Sequence, residues 1–351
     1  MTNVIVEPET DPGSAPPASG NGNGRKGGLR RKLHVLKRKL TPSGPSAASV
    51  PLMEYVKYHA FSRFPPSFPQ IMQVQTQYGC NARCVFCPMG REQNQIHGRM
   101  DDATFSKIVD EAIENGVKVF SPYLQNDPLV DRKMHERIEY IRERRGRKLF
   151  PKTKLITNGG LLTEKRAYDL INVGLEYIVF SVHGIDPTVY DDLMNGPRFE
   201  TTIKNIERFV RIKDELGAKT PHIEVWAVRT KEVDRQLDEV KAFWKERNIR
   251  FKARELDNRA HPEITENDDL ANEYDEWKFA THCVIPFWRA WILWNGDMVL
   301  CCVDWERQHV FGNIHENTIR EIWNGEAYRA YRDRMRNNDF AGTLCEHCKG
   351  I

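Results

Sequence analysis

Three cysteines lie close together in the first third of the chain, at Cys80, Cys84 and Cys87, with C-x₃-C-x₂-C spacing. Three thiolates this close can hold three irons of a four-iron cluster. No fourth cysteine is nearby, so the last iron would stay open to an external ligand. An open iron can bind a molecule, pass it an electron and break one of its bonds. A zinc site is the alternative, with His97 as the fourth ligand.

The segment from Tyr78 to Pro88 resembles the signature of the radical S-adenosylmethionine (SAM) superfamily, including the aromatic Phe86 before the last cysteine. The resemblance implies a 4Fe–4S cluster whose open iron binds SAM. It also implies cleavage of SAM to a 5′-deoxyadenosyl radical that abstracts hydrogen from a substrate. Phe86 is then expected near the adenine, and an external donor such as flavodoxin or ferredoxin is expected to supply the electron.

Further segments at predicted strand ends resemble SAM-binding segments of the same superfamily. Asn126 and Asp127 occupy the place of the Gly-Gly-Glu-Pro loop, Asn158 belongs to a Thr-Asn-Gly turn, and Ser181 and His183 follow the fourth strand. The resemblance implies that these five side chains contact SAM. Two of the segments depart from the family pattern, because Asp127 is shorter than glutamate and histidine replaces aspartate at position 183. Ordinary turn capping by Asn, Ser and Gly is the alternative reading.

A second set of cysteines lies near the C-terminus, at Cys283, Cys301, Cys345 and Cys348. Four thiolates saturate one further metal site, and spacing alone leaves an iron–sulfur cluster and a four-thiolate zinc site open. Next to a radical SAM barrel, the arrangement resembles the auxiliary-cluster domains called SPASM or twitch. That resemblance implies a second 4Fe–4S cluster, and only one, because a full SPASM pattern has more cysteines.

Cys302 is left over from both sets. A predicted hairpin runs from Trp291 through the turn Asn295-Gly296, of type I′, to a returning strand over Met298–Val303. Successive strand residues point to opposite faces, so Cys302 is expected to face away from Cys301. It is a candidate catalytic donor of a hydrogen atom to a substrate radical, and a packed core thiol is the alternative.

Short β-branched or aromatic runs alternate with helical periodicity from Ile71 onward, which is typical of βα units around a parallel sheet. The six predicted strands are Ile71–Gln77, Val117–Leu124, Lys152–Thr157, Tyr177–His183, Pro221–Arg229 and Ile249–Glu255. They predict an α/β fold, a partial (β/α)₆ TIM-like barrel, followed by a small α+β auxiliary-cluster domain. We divide the chain into a disordered, basic, Pro- and Gly-rich tail (1–50), the barrel (68–256) and the auxiliary domain (257–351).

Composition excludes little. The 351 residues carry 52 basic and 49 acidic side chains, a net charge of +3 that gives no reason to expect nucleic acid as a partner. No apolar run is long enough to span a bilayer and the N-terminus has no secretory signal, so we expect a cytoplasmic protein without stable membrane insertion. In that compartment eight cysteines favour metal chemistry over disulfides.

The leading hypothesis is a radical SAM oxidoreductase or epimerase of natural-product biosynthesis, acting on a small polar metabolite of the sugar or aminocyclitol type. A peptide-modifying maturase that forms a crosslink, thioether or epimer is the first alternative. The short segment before the barrel argues against it, because a leader-recognition domain has no room there, although the basic tail could grip an acidic leader. A non-catalytic, zinc-stabilised binding module is the second alternative.

Overall fold

The computed structural model describes residues 59–90, 98–267, 270 and 283–348. The predicted tail over 1–50 and the zinc candidate His97 lie outside the described residues. The described strands are β1 (Ile71–Val74), β2 (Val119–Ser121), β3 (Lys152–Thr157), β4 (Tyr177–Ser181), β5 (His222–Arg229), β6 (Arg250–Glu255), β7 (Arg289–Ile292), β8 (Asp297–Val299) and β9 (Val310–Asn313).

Helices connect consecutive strands of the barrel. The described α-helices are α1 (Asp102–Glu114), α2 (Met134–Arg145), α3 (Glu164–Asn172), α4 (Pro187–Met194), α5 (Phe199–Glu215), α6 (Lys231–Arg235), α7 (Leu237–Glu246), α8 (Pro262–Thr265), α9 (Ile319–Trp323) and α10 (Glu326–Arg336). The first of them begins after Asp101, whose side chain accepts a hydrogen bond from the Thr104 amide as N-cap. Among the described residues, no helix combines the length and apolarity needed to cross a membrane.

All six predicted barrel strands form, and each pairs in parallel with its neighbour in the order β6-β5-β4-β3-β2-β1. The predicted fold class, a partial (β/α)₆ barrel followed by a small α+β unit, is confirmed. Burial alternates along β3, where Thr153, Leu155 and Thr157 are buried under the helices. The residues between them, including Lys154, therefore face the concave side of the sheet.

The C-terminal region is joined to the barrel more closely than sequence analysis anticipates. Strand β7 pairs in parallel with β1, and β8 and β9 continue the same sheet as antiparallel strands. One hydrophobic cluster joins Met72 and Phe105 of the first βα unit to Trp291 and Trp323 of the C-terminal region. The division at residue 256 therefore remains a prediction, and a continuous core runs across it.

The predicted hairpin forms, but two of its details are wrong. A type I′ turn needs positive φ at both central residues, and of the pair only Gly296 has it, at +88°. The returning strand ends at Val299 rather than Val303, because the β8–β9 register shifts at Met298/Val299 and the Leu300 amide then donates to the His309 carbonyl. Cys301 and Cys302 therefore lie beyond the strand.

Candidate functional site

The loop that carries the first three cysteines follows β1 and is held by the end of helix α4. The Arg83 amide donates to the Asn195 carbonyl at 2.9 Å, and the Val85 amide donates to the Leu193 carbonyl at 3.0 Å. The loop also passes close to Gly196, where an added Cβ would lie 2.5 Å from the Asn81 carbonyl oxygen. A side chain at position 196 would therefore displace the loop.

Cys80, Cys84 and Cys87 line one open cleft, with about 680 Å³ of empty space. Burial raises the pKa of Cys80 to about 12, and burial together with Cys87 and Cys80 raises the pKa of Cys84. The Cys84 Sγ lies 3.7 Å from the Met194 Sδ, at the end of α4. The thiols thus form one half-buried group at the carboxyl end of the parallel strands, where barrel enzymes build their sites.

These three thiols are the donors that a 4Fe–4S cluster uses. Within the described part of the chain, no three His, Cys, Asp or Glu side chains converge on a position that could hold a single metal ion. The three cysteines of the loop would hold such a cluster through three irons.

Phe86 and His183 pack together beside the cysteine loop, with ring centroids 4.8 Å apart in an edge-to-face arrangement. The His183 Nδ1 accepts a hydrogen bond from the Val228 amide at 2.9 Å, which leaves the proton of the neutral ring on Nε2. Burial, with a smaller contribution from Arg259, lowers the pKa of His183 to about 3. A neutral donor therefore stands where the superfamily has an aspartate acceptor.

The Asp127 carboxylate accepts several hydrogen bonds from other residues of the protein. Its Oδ2 accepts from the Thr157 hydroxyl at 2.8 Å and from the Asn158 amide at 2.7 Å, and its Oδ1 accepts from the Leu129 amide at 2.9 Å. Only 3% of the residue is exposed. The direct contact with SAM stays a prediction, and the structure adds a positioning role in which Asp127 fastens the β2 loop to the turn after β3.

Asn126 and Asn158 also make contacts that fix loops. The Asn126 side chain donates to the Gln77 carbonyl at 2.7 Å, and Asn126 borders the cleft. The Asn158 Nδ2 donates to the Asn81 Oδ1 at 2.8 Å, which joins the turn after β3 to the cysteine loop. Ser181 lies half-buried at the end of β4. The SAM contacts predicted for these three residues stay predictions.

The second set of cysteines gathers around the hairpin. Burial and the neighbouring Cys345 raise the pKa of Cys283 to about 12. Cys301 is buried, with Cys283 among the charges that act on it. The Tyr331 hydroxyl donates to the Cys345 Sγ at 3.4 Å, and the Cys348 amide donates to the Cys345 carbonyl at 3.4 Å. The donor set, four cysteine thiols, suits a fully ligated cluster.

The expected opposite orientation of Cys301 and Cys302 is wrong, because the two Sγ atoms lie 4.0 Å apart. The reason is that both residues lie past the end of β8, where the alternation of a strand no longer applies. Cys302 nevertheless lines the same cleft as the three-cysteine loop. The Gln125 side chain donates to its carbonyl at 3.1 Å and holds it against the β2 loop. The thiol therefore lies between the two cysteine sets.

Sequence reasoning missed Arg259 and Tyr123, which also line the cleft. The Arg259 Nη1 lies 3.4 Å from the Cys87 Sγ. The signal that could have found it is position, because Asp257-Asn258-Arg259 lies just past the end of β6, at the same edge of the sheet as the other site residues. Asn258 also donates to the His347 carbonyl at 2.6 Å, next to the terminal cysteines.

Comparison with known proteins agrees with this geometry. The family model of the radical SAM superfamily matches residues 74–215, and that of an iron–sulfur cluster-binding domain, SPASM, matches residues 283–349. Together the two matches span more than half of the chain. This chain is a radical SAM protein with a C-terminal SPASM domain. Its cofactors are accordingly SAM with the 4Fe–4S cluster that cleaves it, and an auxiliary iron–sulfur centre.

Two curated relatives and one solved structure illustrate the likeness. The tungsten-containing aldehyde ferredoxin oxidoreductase cofactor-modifying protein of Pyrococcus furiosus is 24% identical over 74% of this radical SAM chain and 82% of its own length. The SAM-dependent 2-deoxy-scyllo-inosamine dehydrogenase of Niallia circulans is 20% identical over 80% and 93%. Streptococcus suis SuiB, bound to precursor peptide SuiA, is similar in structure with a TM-score of 0.61, at 19% identity over 87% and 78%. At that identity the structural likeness shows the fold alone.

Proposed function

We propose that this radical SAM enzyme abstracts hydrogen from a carbon that bears a hydroxyl or amine on a small polar metabolite of the sugar or aminocyclitol type, giving oxidation or epimerisation. The observation that carries the proposal is the position of Cys302. Its thiol lines the cleft that also contains Cys80, Cys84 and Cys87, so a substrate there meets both the cluster-binding loop and a hydrogen donor. A reduced flavodoxin or ferredoxin is the proposed external electron donor.

The bound cluster and SAM supply a 5′-deoxyadenosyl radical, and the chain's own residues decide the fate of the substrate radical. The substrate carbon loses one hydrogen atom and becomes a radical. For epimerisation, the Cys302 S–H bond breaks and its hydrogen adds to the opposite face of that carbon. The sulfur radical left behind is returned to a thiol by one electron from the external donor and one proton from solvent. For oxidation, the hydroxyl group of the substrate radical would instead lose its proton to give a carbonyl. The auxiliary centre, which Cys283, Cys301, Cys345 and Cys348 would hold, would supply the acceptor for the remaining electron.

The Niallia circulans relative supports the oxidative outcome on a cyclitol-type substrate, because its name describes a dehydrogenase of 2-deoxy-scyllo-inosamine. The cleft supports the epimerising outcome, because Cys302 faces it. Both outcomes share the first hydrogen abstraction. Replacement of Cys302 therefore distinguishes oxidation from epimerisation.

The test is an anaerobic assay in deuterated buffer with a panel of sugars, sugar phosphates and aminocyclitols. An epimer formed by the wild type is expected to carry one deuterium at the inverted carbon, since a thiol exchanges its proton with solvent. Cys302→Ala is expected to form 5′-deoxyadenosine with the same compound but no epimer. An oxidised product that Cys302→Ala still forms would assign dehydrogenation. If no compound of the panel is changed or raises 5′-deoxyadenosine formation, the small-metabolite proposal is wrong.

A further inference from the structure

Several charged side chains gather on the concave face of the barrel, away from the cysteine loop. They come from strands β3, β5, β6 and β7, and most of them lie around one indole ring. The residues of this cationic cluster are Lys154, Glu224, Trp226, Lys252, Arg254 and Arg289. The charged members are half-buried, whereas the opposite face of each of the strands β3 and β5 packs its apolar residues under the helices.

Trp226 is the centre of the cluster. The Lys154 Nζ lies 4.4 Å from the centroid of its ring, the Arg254 Cζ lies 3.7 Å away, and the Lys252 Nζ lies 5.7 Å away. Cations at these distances are attracted by the face of an indole. The ring thus holds three cationic side chains around one small region of the concave face.

The Glu224 carboxylate lies next to these cations, and it already has partners. The Glu224 Oε2 accepts a hydrogen bond from the Trp226 Nε1 at 2.8 Å and lies 3.1 Å from the Lys252 Nζ. The Arg250 Nη1 lies 3.6 Å from its other oxygen. Glu224 therefore pairs with both Lys252 and Arg250. Asp257 also acts on Arg254, but the four cations of the cluster outnumber these two carboxylates.

The excess charge acts on Lys154. Burial and the neighbouring Arg254 lower the pKa of Lys154 to about 7, and Arg289 and Lys252 act in the same direction against Glu224. A cation held among other cations in a partly desolvated site is stabilised when an anion binds next to it. The guanidinium of arginine forms paired hydrogen bonds to a phosphate, and lysine adds a point charge.

We propose that the cationic cluster binds a phosphate group of the substrate, so that the metabolite is a phosphorylated polyol or a nucleotide-linked sugar. This inference rests on the proposed function and narrows its substrate class. It disfavours a free aminocyclitol, because a protonated amine would be repelled by the same charges. Arg289 and Arg254 also act on Tyr123, and Tyr123 lines the cleft next to Cys302. A phosphate held by the cluster would place the attached ring toward the cysteine loop.

The test is isothermal titration of the full-length, anaerobically reconstituted holoenzyme with inorganic pyrophosphate, in the presence of SAM. Lys154→Met and Arg254→Gln are each expected to weaken pyrophosphate binding at least about tenfold, since each removes a cation that contacts the anion. Lys165→Met is the matched control, because Lys165 is 80% exposed and pairs with Asp169 on the surface of α3. Its affinity is expected to equal that of the wild type.

Two results would overturn the proposal. One is the absence of pyrophosphate binding by the wild type, and the other is equal affinity in the wild type and both cluster variants. Malonate is titrated as the carboxylate ligand for comparison. If malonate binds as tightly as pyrophosphate, the cluster is a carboxylate site and the phosphate proposal is wrong. Iron content and circular dichroism of each variant show whether it is folded. Wild-type enzyme that changes a neutral polyol but ignores pyrophosphate would refute this inference alone, whereas pyrophosphate binding without any substrate conversion would refute the proposed function alone.

Discussion

Arg259 connects the end of β6 to the cysteine loop. Its backbone has φ +50° at the start of the connection after β6, and its side chain lies 3.7 Å from Asp257 and 3.4 Å from the Cys87 Sγ. A guanidinium at that distance donates a charge-assisted hydrogen bond to a thiolate. A donor next to a cluster thiolate favours the reduced cluster, because reduction adds negative charge.

The first prediction concerns the reduction potential of the SAM-cleaving cluster. Arg259→Gln is expected to lower it by about 60 mV, the equivalent of a tenfold change in a one-electron equilibrium. The measurement is an anaerobic redox titration followed by electron paramagnetic resonance. Arg198→Gln is the control, since Arg198 is 74% exposed and pairs with Asp191 at the surface. An unchanged potential in Arg259→Gln would show that the contact does not tune the cluster.

For single residues, the sequence predicts which residue types form the site better than it predicts the contacts that they make. The cysteine spacing predicts the thiol group of the first loop because it is local in the chain. The hydrogen bonds of Asp127 and Asn158 cannot be predicted from the sequence, because their partners Thr157 and Asn81 come close only when the loops after three strands meet. The approach of Arg259 to Cys87 joins residues far apart in sequence, so only the fold reveals it.

At the scale of elements, the cysteine loop depends on the end of helix α4. Backbone amides of the loop donate to carbonyls at Leu193 and Asn195, and the chain then turns at Gly196 with φ +155°. That glycine leaves room for the Asn81 carbonyl, which an added Cβ would approach to 2.5 Å. Moving the loop backbone at Asn81 would cost hydrogen bonds, because the amides of Tyr78 and Arg83, on either side of Asn81, already donate to carbonyls.

The second prediction follows from this close approach. Gly196→Ala is expected to displace the loop and remove the first cluster, so that the reconstituted protein contains about four fewer irons per chain. Iron and sulfide analysis with electron paramagnetic resonance measures the loss. Gly217→Ala is the matched control, because Gly217 also has positive φ, +59°, but an added Cβ there meets nothing within 4 Å. Equal iron content in the two variants would contradict the argument.

The elements were predictable where a pattern is local and repeated. Strand β3 has the predicted bounds Lys152–Thr157. The returning hairpin strand is shorter than the predicted Met298–Val303, because the register shift at Met298/Val299 depends on pairing with β9, a strand that the sequence pattern does not predict. The turn type was wrong because only one of its two central residues adopts positive φ.

At the scale of the whole molecule, the two cysteine sets belong to one continuous structure. Strand β7 pairs with β1, which directly precedes the first cysteine loop, and the hairpin that follows β7 leads to Cys301 and Cys302. The Lys107 side chain donates to the Ile314 carbonyl, and the Ile319 amide donates to Glu111, so α1 also grips the C-terminal region. Sequence analysis does not anticipate this junction, because a parallel pairing over more than two hundred residues leaves no local pattern.

The central claim is that the loop of Cys80, Cys84 and Cys87 holds the cluster that cleaves SAM, while the C-terminal cysteines hold the auxiliary centre. The most direct measurement is 5′-deoxyadenosine formation by anaerobically reconstituted wild type, Cys84→Ala and Cys345→Ala with SAM and dithionite. The wild type is expected to form 5′-deoxyadenosine, and Cys84→Ala to form none. Cys345→Ala is expected to keep the SAM-perturbed resonance signal of the first cluster. Formation of 5′-deoxyadenosine by Cys84→Ala at the wild-type rate would contradict the account.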